Sequence, residues 1–133
     1  MKSLFLLPVL LLSAACATTL VPGNPVEFEL AVGETASLRD QDLSVAFKAV
    51  GADSRCPSDV ACVWAGDAEL LLRLKGVPGV HDTILHTTLD PKTLTVSRTT
   101  LEVLGLSPAP VSTSGTDPRS YRLRLRVTSI SSP

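Results

Sequence analysis

From Val26 onward the apolar positions recur with a period of two. Val26, Phe28, Leu30 and Val32 alternate with Glu27, Glu29 and Ala31, Gly33-Glu34 reads as a tight turn, and Thr35 to Leu38 as a short return. Leu43, Val45, Phe47 and Ala49 alternate with Ser44, Ala46 and Lys48. Ala68, Leu70, Leu72 and Leu74 alternate with Glu69, Leu71, Arg73 and Lys75. The clearest case comes last, with Tyr121, Leu123, Leu125 and Val127 set against Arg122, Arg124 and Arg126. A segment of this kind puts one face on a core and the other in water, as antiparallel sheets do.

Weaker strands are expected at Val80 to Thr88, Thr93 to Arg98 and Thr99 to Leu106. The alternation slips between Val103 and Leu104, which predicts a bulge or a change of face. Pro78-Gly79, Asp90-Pro91 and Gly115-Thr116-Asp117-Pro118 punctuate these segments, and Ser107 to Ser120, with Pro108, Pro110 and Pro118, is the longest expected loop. No segment sustains helical spacing. About seven or eight short strands with regular turn signals predict an all-β fold, an antiparallel β-sandwich or small open barrel. Glu27 and Glu29 project outward near the start and the three arginines near the end. If the terminal strands are neighbours, these rows form cross-strand ion pairs. The other reading of the arginines is a basic stripe against anionic lipid or polysaccharide.

The beginning of the chain is of another kind. Lys2 precedes a nearly unbroken apolar run from Leu4 to Leu12, followed by Ser13, Ala14 and Ala15. This is the layout of a secretory signal peptide, and the run is too short to span a bilayer as a helix. Leu12-Ser13-Ala14-Ala15-Cys16 resembles the lipobox of bacterial lipoproteins, although Ser13 stands where that box most often has leucine. The resemblance implies a leader over residues 1–15 and a lipid anchor on Cys16; Thr18, Thr19, Pro22, Gly23, Asn24 and Pro25 read as a tether over 16–25, and the alternating pattern beyond it as a single β domain over 26–133. The competing reading is ordinary cleavage after Ala17, since Ala15-Cys16-Ala17 also has a small-x-small form.

Cysteine count bears on that choice. The chain has three cysteines, an odd number that needs an explanation in an exported protein. Cys56 and Cys62 are close enough to pair, which leaves Cys16. A lipid on Cys16 uses it up; an intermolecular disulfide, or loss with the leader, are the alternatives. Five residues separate Cys56 from Cys62, and an oxidising compartment makes the disulfide the expected state. Closing so short a ring contributes roughly 2–3 kcal/mol on the loop-entropy argument. Zinc would need four N/S ligands, and no second cysteine pair exists, so no metal site is expected. The spacing is also not that of a Cys-x-x-Cys redox pair.

The segment around this ring, Asp53-Ser54-Arg55-Cys56-Pro57-Ser58-Asp59-Val60-Ala61-Cys62-Val63-Trp64-Ala65-Gly66, is unlike the rest of the chain in composition. Its pattern, D-S-R-C-P-x4-C-x-W-A-G followed by an alternating strand, resembles a signature of small bacterial secreted proteins and lipoproteins. Leu106, Pro108, Pro110 and the strand opening at Tyr121 belong to the same likeness. The resemblance implies a disulfide-stapled β domain at the cell envelope and carries no activity with it. Within the motif, Trp64 is expected to pack on the disulfide and cap the core, with a ligand platform as the alternative reading. Asp53 and Arg55 are expected to pair with each other or with backbone, Pro57 to stiffen the ring, Asp59 to be exposed, and Gly66 to bound the loop. A rigid loop of this kind is either a staple or a binding surface whose ordering cost is met in advance.

Composition narrows the function classes. Hydrophobic residues make up 44% and charged residues 19%, which excludes a disordered chain. A net charge of −1 excludes an electrostatic nucleic-acid binder, and five aromatics in total disfavour a base-stacking one. The two histidines, His81 and His86, are five apart and face opposite sides of a regular strand. His81-Asp82 is the only adjacent candidate for an orienting pair. No phosphate-cradling glycine loop, paired carboxylates or nucleophile–base–orienter set is legible. The expectation is a non-enzymatic envelope lipoprotein without cofactor, held at the membrane through Cys16, with a binding or accessory role toward an envelope protein or polysaccharide. A freely secreted, inhibitor-like binder presenting the Cys56–Cys62 loop is the alternative.

Overall fold

The computed structural model of the protein describes residues 25–38, 41–76 and 78–129. The expected leader, Cys16 and the tether up to Asn24 lie outside the described residues. Eight strands form: β1 (Val26–Ala31), β2 (Thr35–Leu38), β3 (Leu43–Asp53), β4 (Ala68–Gly76), β5 (Gly79–His86), β6 (Thr93–Val96), β7 (Thr99–Ser107) and β8 (Arg122–Ser129). They make two four-stranded antiparallel sheets, one in the order β1-β8-β7-β6 and the other β2-β3-β4-β5. The fold is a β-sandwich carrying one disulfide, Cys56–Cys62.

The inward-facing rows named above become the core. Val45, Phe47, Leu70, Leu72, Leu85, Leu101, Leu123 and Leu125 lose essentially all contact with water, and they come from both sheets. Each such side chain contributes about 1.5–3 kcal/mol by leaving water. Tyr121 closes one end of this cluster. The slip between Val103 and Leu104 is a bulge: Val103 pairs with Leu125 and Gly105 with Arg124, so Leu104 has no partner in the ladder.

Two local expectations change. Thr35–Leu38 returns from the Gly33-Glu34 turn, where Glu34 N donates to Ala31 O, but it joins the opposite sheet by pairing with β3. A turn of that length can redirect the chain across the sandwich as readily as fold it back on its own sheet. The second change concerns Ala49, expected on the core face. A register shift at Lys48 sets Ala49 opposite Leu71 on the outer face, and Val50 opposite Leu70 takes its place against the core. Strict alternation cannot foresee a bulge that has no glycine or proline to mark it.

The terminal strands are neighbours. Glu27 lies opposite Arg126 and Glu29 opposite Arg124. Arg126 bonds Glu27 at 2.7 Å and Glu102 at 3.0 Å, and Arg124 reaches Glu27 at 3.6 Å. The row of arginines is thus partly neutralised by acids on both flanking strands. The same register fixes the molecule's polarity. Ala31, Ser107, Tyr121 and the Asp53/Ala68 junction gather at one end, and Val26, opposite Val127, sits at the other, roughly 17 Å of strand away.

Candidate functional site

Beyond Asp53 and before Ala68 the β3–β4 pair continues as a narrow ladder that leaves the sandwich. Ser54 N donates to Asp67 O at 2.7 Å, and Cys56 N to Ala65 O at 2.9 Å. The Ser54 hydroxyl donates to Asp67 O and accepts from Asp67 N. Gly66 makes this approach possible. Its φ is +68°, and a Cβ there would sit 1.8 Å from the Ser54 carbonyl oxygen. The disulfide closes the ladder's tip with a Cα–Cα distance of 5.9 Å. Pro57, half-buried, turns the ring by accepting from Val60 N at 3.4 Å.

Asp53 and Arg55 both turn inward. The guanidinium grips Asp53 with two bonds, Nε to Oδ1 at 2.8 Å and Nη2 to Oδ2 at 2.7 Å. It also donates to the carbonyls of Leu106 at 2.6 Å and Pro108 at 2.9 Å. Tyr121 OH donates to Asp53 Oδ2 at 2.9 Å, and its ring lies 6.0 Å from the guanidinium carbon. Burial pulls the Asp53 carboxyl upward, but the Arg55 and Tyr121 hydrogen bonds outweigh it and leave it below the usual carboxylate range. The same bonds raise Arg55 further above its ordinary value. One ion pair thus ties β3, the end of β7 and the start of β8 together beneath the loop.

The ring docks sideways as well. Ser58 N donates to Pro110 O at 2.9 Å, and Ser112 N to Asp59 Oδ1 at 2.9 Å. The Ser112 hydroxyl bonds the other Asp59 oxygen. These donors hold the Asp59 carboxyl below its ordinary value although it faces solvent. The expected exposure of Asp59 is correct, but the carboxylate is committed to the segment after β7.

Trp64 departs from expectation. It does not cap the core: it is 82% exposed, Val63 is 91% exposed, and Val60 is 46% exposed. The narrow Ser54–Asp67 and Cys56–Ala65 ladder carries this part of the chain beyond the strands, and the core among the described residues does not include the indole. The capping position belongs to Tyr121, which is buried and has its hydroxyl satisfied by Asp53. The loop therefore divides sharply. Asp53 and Arg55 point in and staple it, Asp59 is tied down at the surface, and Val60, Val63 and Trp64 point out.

Asp67, not singled out in the sequence, organises the loop's return to β4. It accepts from His86 Nδ1 at 2.6 Å, Thr88 N at 2.8 Å and Leu89 N at 3.2 Å. Burial raises its pKa, yet these bonds prevail and lower it to about 2. A carboxyl lowered in the folded state stabilises fully above its unfolded value near 4, and that contribution is lost as pH falls through about 2. Asp67→Asn is expected to cost about 1–2 kcal/mol at pH 7 and almost nothing at pH 2, read from urea unfolding at both. A cost independent of pH would show that charge is not its source. The register of β4 and β5 is unbroken, so His81 and His86 do face opposite sides. The His81-Asp82 pair does not form: His81 bonds the Pro78 carbonyl and Asp82 bonds Arg73. The histidine–carboxylate pair that exists, His86–Asp67, was hidden by 19 residues of separation. Compared with protein-family models, curated proteins and solved structures, the chain matches none of them.

Proposed function

We propose that the protein is an envelope lipoprotein, anchored through Cys16, that works by contact and not by catalysis, with the Val63–Trp64 tip as its contact element. The observation that carries this is the division of the loop. Val63 and Trp64 are exposed on a segment that a disulfide, the Asp53–Arg55 pair and the Asp59–Ser112 bonds hold rigid. Exposing a tryptophan forgoes burial that a core position would reward, and rigidity lowers the ordering cost of binding. The polarity of the sandwich supports the same reading. The chain enters β1 at Val26, opposite the end that bears the loop, so a tether at that end leaves the loop directed outward.

The partner is a protein surface in this reading. A polysaccharide site needs polar side chains around the stacking aromatic, and here Arg55 and Asp59 are committed within the fold. The loop also presents no free cation from Arg55 to an anionic lipid surface. The paired His86–Asp67 carboxylate serves backbone N–H groups of Thr88 and Leu89, which suits a structural role for that pair.

The test is the intact mass of the protein from its native membrane fraction, with thiols counted before and after reduction. A polypeptide beginning at Cys16, heavier by a lipid increment and without thiol until reduced, is the expected result. An unmodified mass in the soluble fraction overturns the anchor and leaves a freely secreted binder using the same loop.

A further inference from the structure

The Cys56–Cys62 ring is anchored unevenly. Its first arm docks on the segment after β7, where Ser58 N donates to Pro110 O and Asp59 accepts from both Ser112 donors. Its stem is fixed from below by Arg55, on Asp53 and on the Leu106 and Pro108 carbonyls. The second arm, Ala61 to Trp64, carries the tip. Among the described residues these four make no hydrogen bond, and the next anchor along the chain is Ala65, whose carbonyl accepts from Cys56 N at 2.9 Å. The disulfide is therefore what ties this arm to the docked one. The two sulfurs also differ. Cys62 is an exposed residue, whereas Cys56 is half-buried, with its sulfur 3.5 Å from the Pro57 carbonyl oxygen and 3.6 Å from that of Val60.

We propose that Cys56–Cys62 is a thiol–disulfide exchange site for a protein dithiol, and that opening it releases the tip while the sandwich and the rest of the loop stay in place. The inference rests on the reading of the loop as a contact element and supplies the regulation of that element. The step is a two-electron exchange. A thiolate of the dithiol attacks Cys62 Sγ, on the exposed residue, and a mixed disulfide forms there as the Cys56–Cys62 bond breaks. Cys56 leaves as a thiolate and takes a proton from water; as a thiol it has the Pro57 and Val60 carbonyls beside it as acceptors. The dithiol's second sulfur then displaces Cys62, which is protonated in turn. The dithiol ends oxidised, and its two protons are balanced by those on Cys56 and Cys62. Exposed disulfides are the labile ones, while those inside a core resist exchange.

The uneven anchoring sets what opening does. It removes no residue from the core, and it leaves the Asp53–Arg55 pair and the Asp59–Ser112 bonds intact. Ala61 to Trp64 gains backbone freedom between the docked arm and Ala65. A partner that grips Val63 and Trp64 must then meet an ordering cost that the closed ring had already met. The oxidised protein presents a rigid tip and the reduced protein does not.

Trp64 is the only tryptophan of the chain, so its fluorescence anisotropy reports the tip arm alone. Dithiothreitol, added to the full protein without denaturant, is expected to open Cys56–Cys62, to lower the Trp64 anisotropy and to leave the far-ultraviolet circular dichroism unchanged. The double variant Cys56→Ser/Cys62→Ser is expected to show the same low anisotropy without reductant. Glutathione, a monothiol, followed by an iodoacetamide quench, is expected to leave its adduct on Cys62 and the alkyl group on Cys56, with peptide mapping to separate both from Cys16. A disulfide that opens only in denaturant overturns the proposal. So do loss of the folded circular dichroism on reduction, an unchanged anisotropy in the reduced protein, and glutathione found on Cys56. A photocrosslinker at position 63 in the native envelope keeps the two levels apart. Adducts to a partner are expected to fall by at least about tenfold on reduction. Adducts that persist undiminished remove the regulation and leave the contact reading standing. An oxidised protein that gives no adducts removes the contact reading, and the regulation with it, whatever the anisotropy shows.

Discussion

Arg55→Met is expected to lower the stability of the sandwich by about 3 kcal/mol, measured by urea unfolding at neutral pH. The substitution keeps much of the side chain's length and removes its charge. Asp53 would then be a carboxylate with 12% of its side chain exposed and no cation beside it. The carbonyls of Leu106 and Pro108 would lose donors at 2.6 and 2.9 Å, and Tyr121 would be the remaining partner of Asp53. Breaking one side of a largely buried pair costs far more than removing both sides, because the surviving charge is stranded. The double variant Asp53→Asn/Arg55→Met is therefore expected to be less destabilised than Arg55→Met alone. A loss below about 1 kcal/mol in the single variant would place the pair among ordinary surface ion pairs and remove it as the loop's foundation.

Gly66→Ala is expected to be the most damaging single-methyl change in the loop. Gly33 provides the internal control. Both residues have positive φ, +68° and +89°, so alanine pays a left-handed backbone cost of about 1–2 kcal/mol at either. They differ in space. A Cβ at Gly33 meets nothing within 4 Å, whereas at Gly66 it lies 1.8 Å from the Ser54 carbonyl oxygen and 2.8 Å from the Arg55 Cα. Those are backbone atoms and cannot rotate away, so the Ser54–Asp67 rung must open. Gly33→Ala is expected to cost about 1 kcal/mol and Gly66→Ala about 3 kcal/mol or more, with amide exchange at Ser54 and Cys56 accelerated only in the second. Equal costs for the two would mean that φ alone decides and that the close approach is relaxed in solution.

These two substitutions show how differently the site and the scaffold are encoded. The scaffold is legible because its code is local and periodic. Leu123, Leu125 and Val127 against Arg122, Arg124 and Arg126 can only satisfy water and core together as a strand with one buried face, and all three apolar residues are buried. The pairing of Glu27 with Arg126 also follows from two opposite rows once the strands are neighbours. The bulge at Lys48 is less legible, because a register shift is chosen by what β4 offers across the ladder.

The loop's composition marked the site, and its cysteine spacing indicated a closed ring, which forms. By itself, then, the sequence determined the strands, most of their buried faces and the short disulfide ring, and it narrowed Asp53 and Arg55 to pairing with each other or with backbone. These depend on neighbours within a few residues or on a solvent preference repeated along a strand. Only the tertiary structure decided that Tyr121 caps the core, that Trp64 stands in water and that Asp67 binds His86. Each of those outcomes is set by which end of which sheet a residue reaches. A tryptophan is buried only if the fold brings apolar surface to it, and here the chain has already left the core when Trp64 arrives.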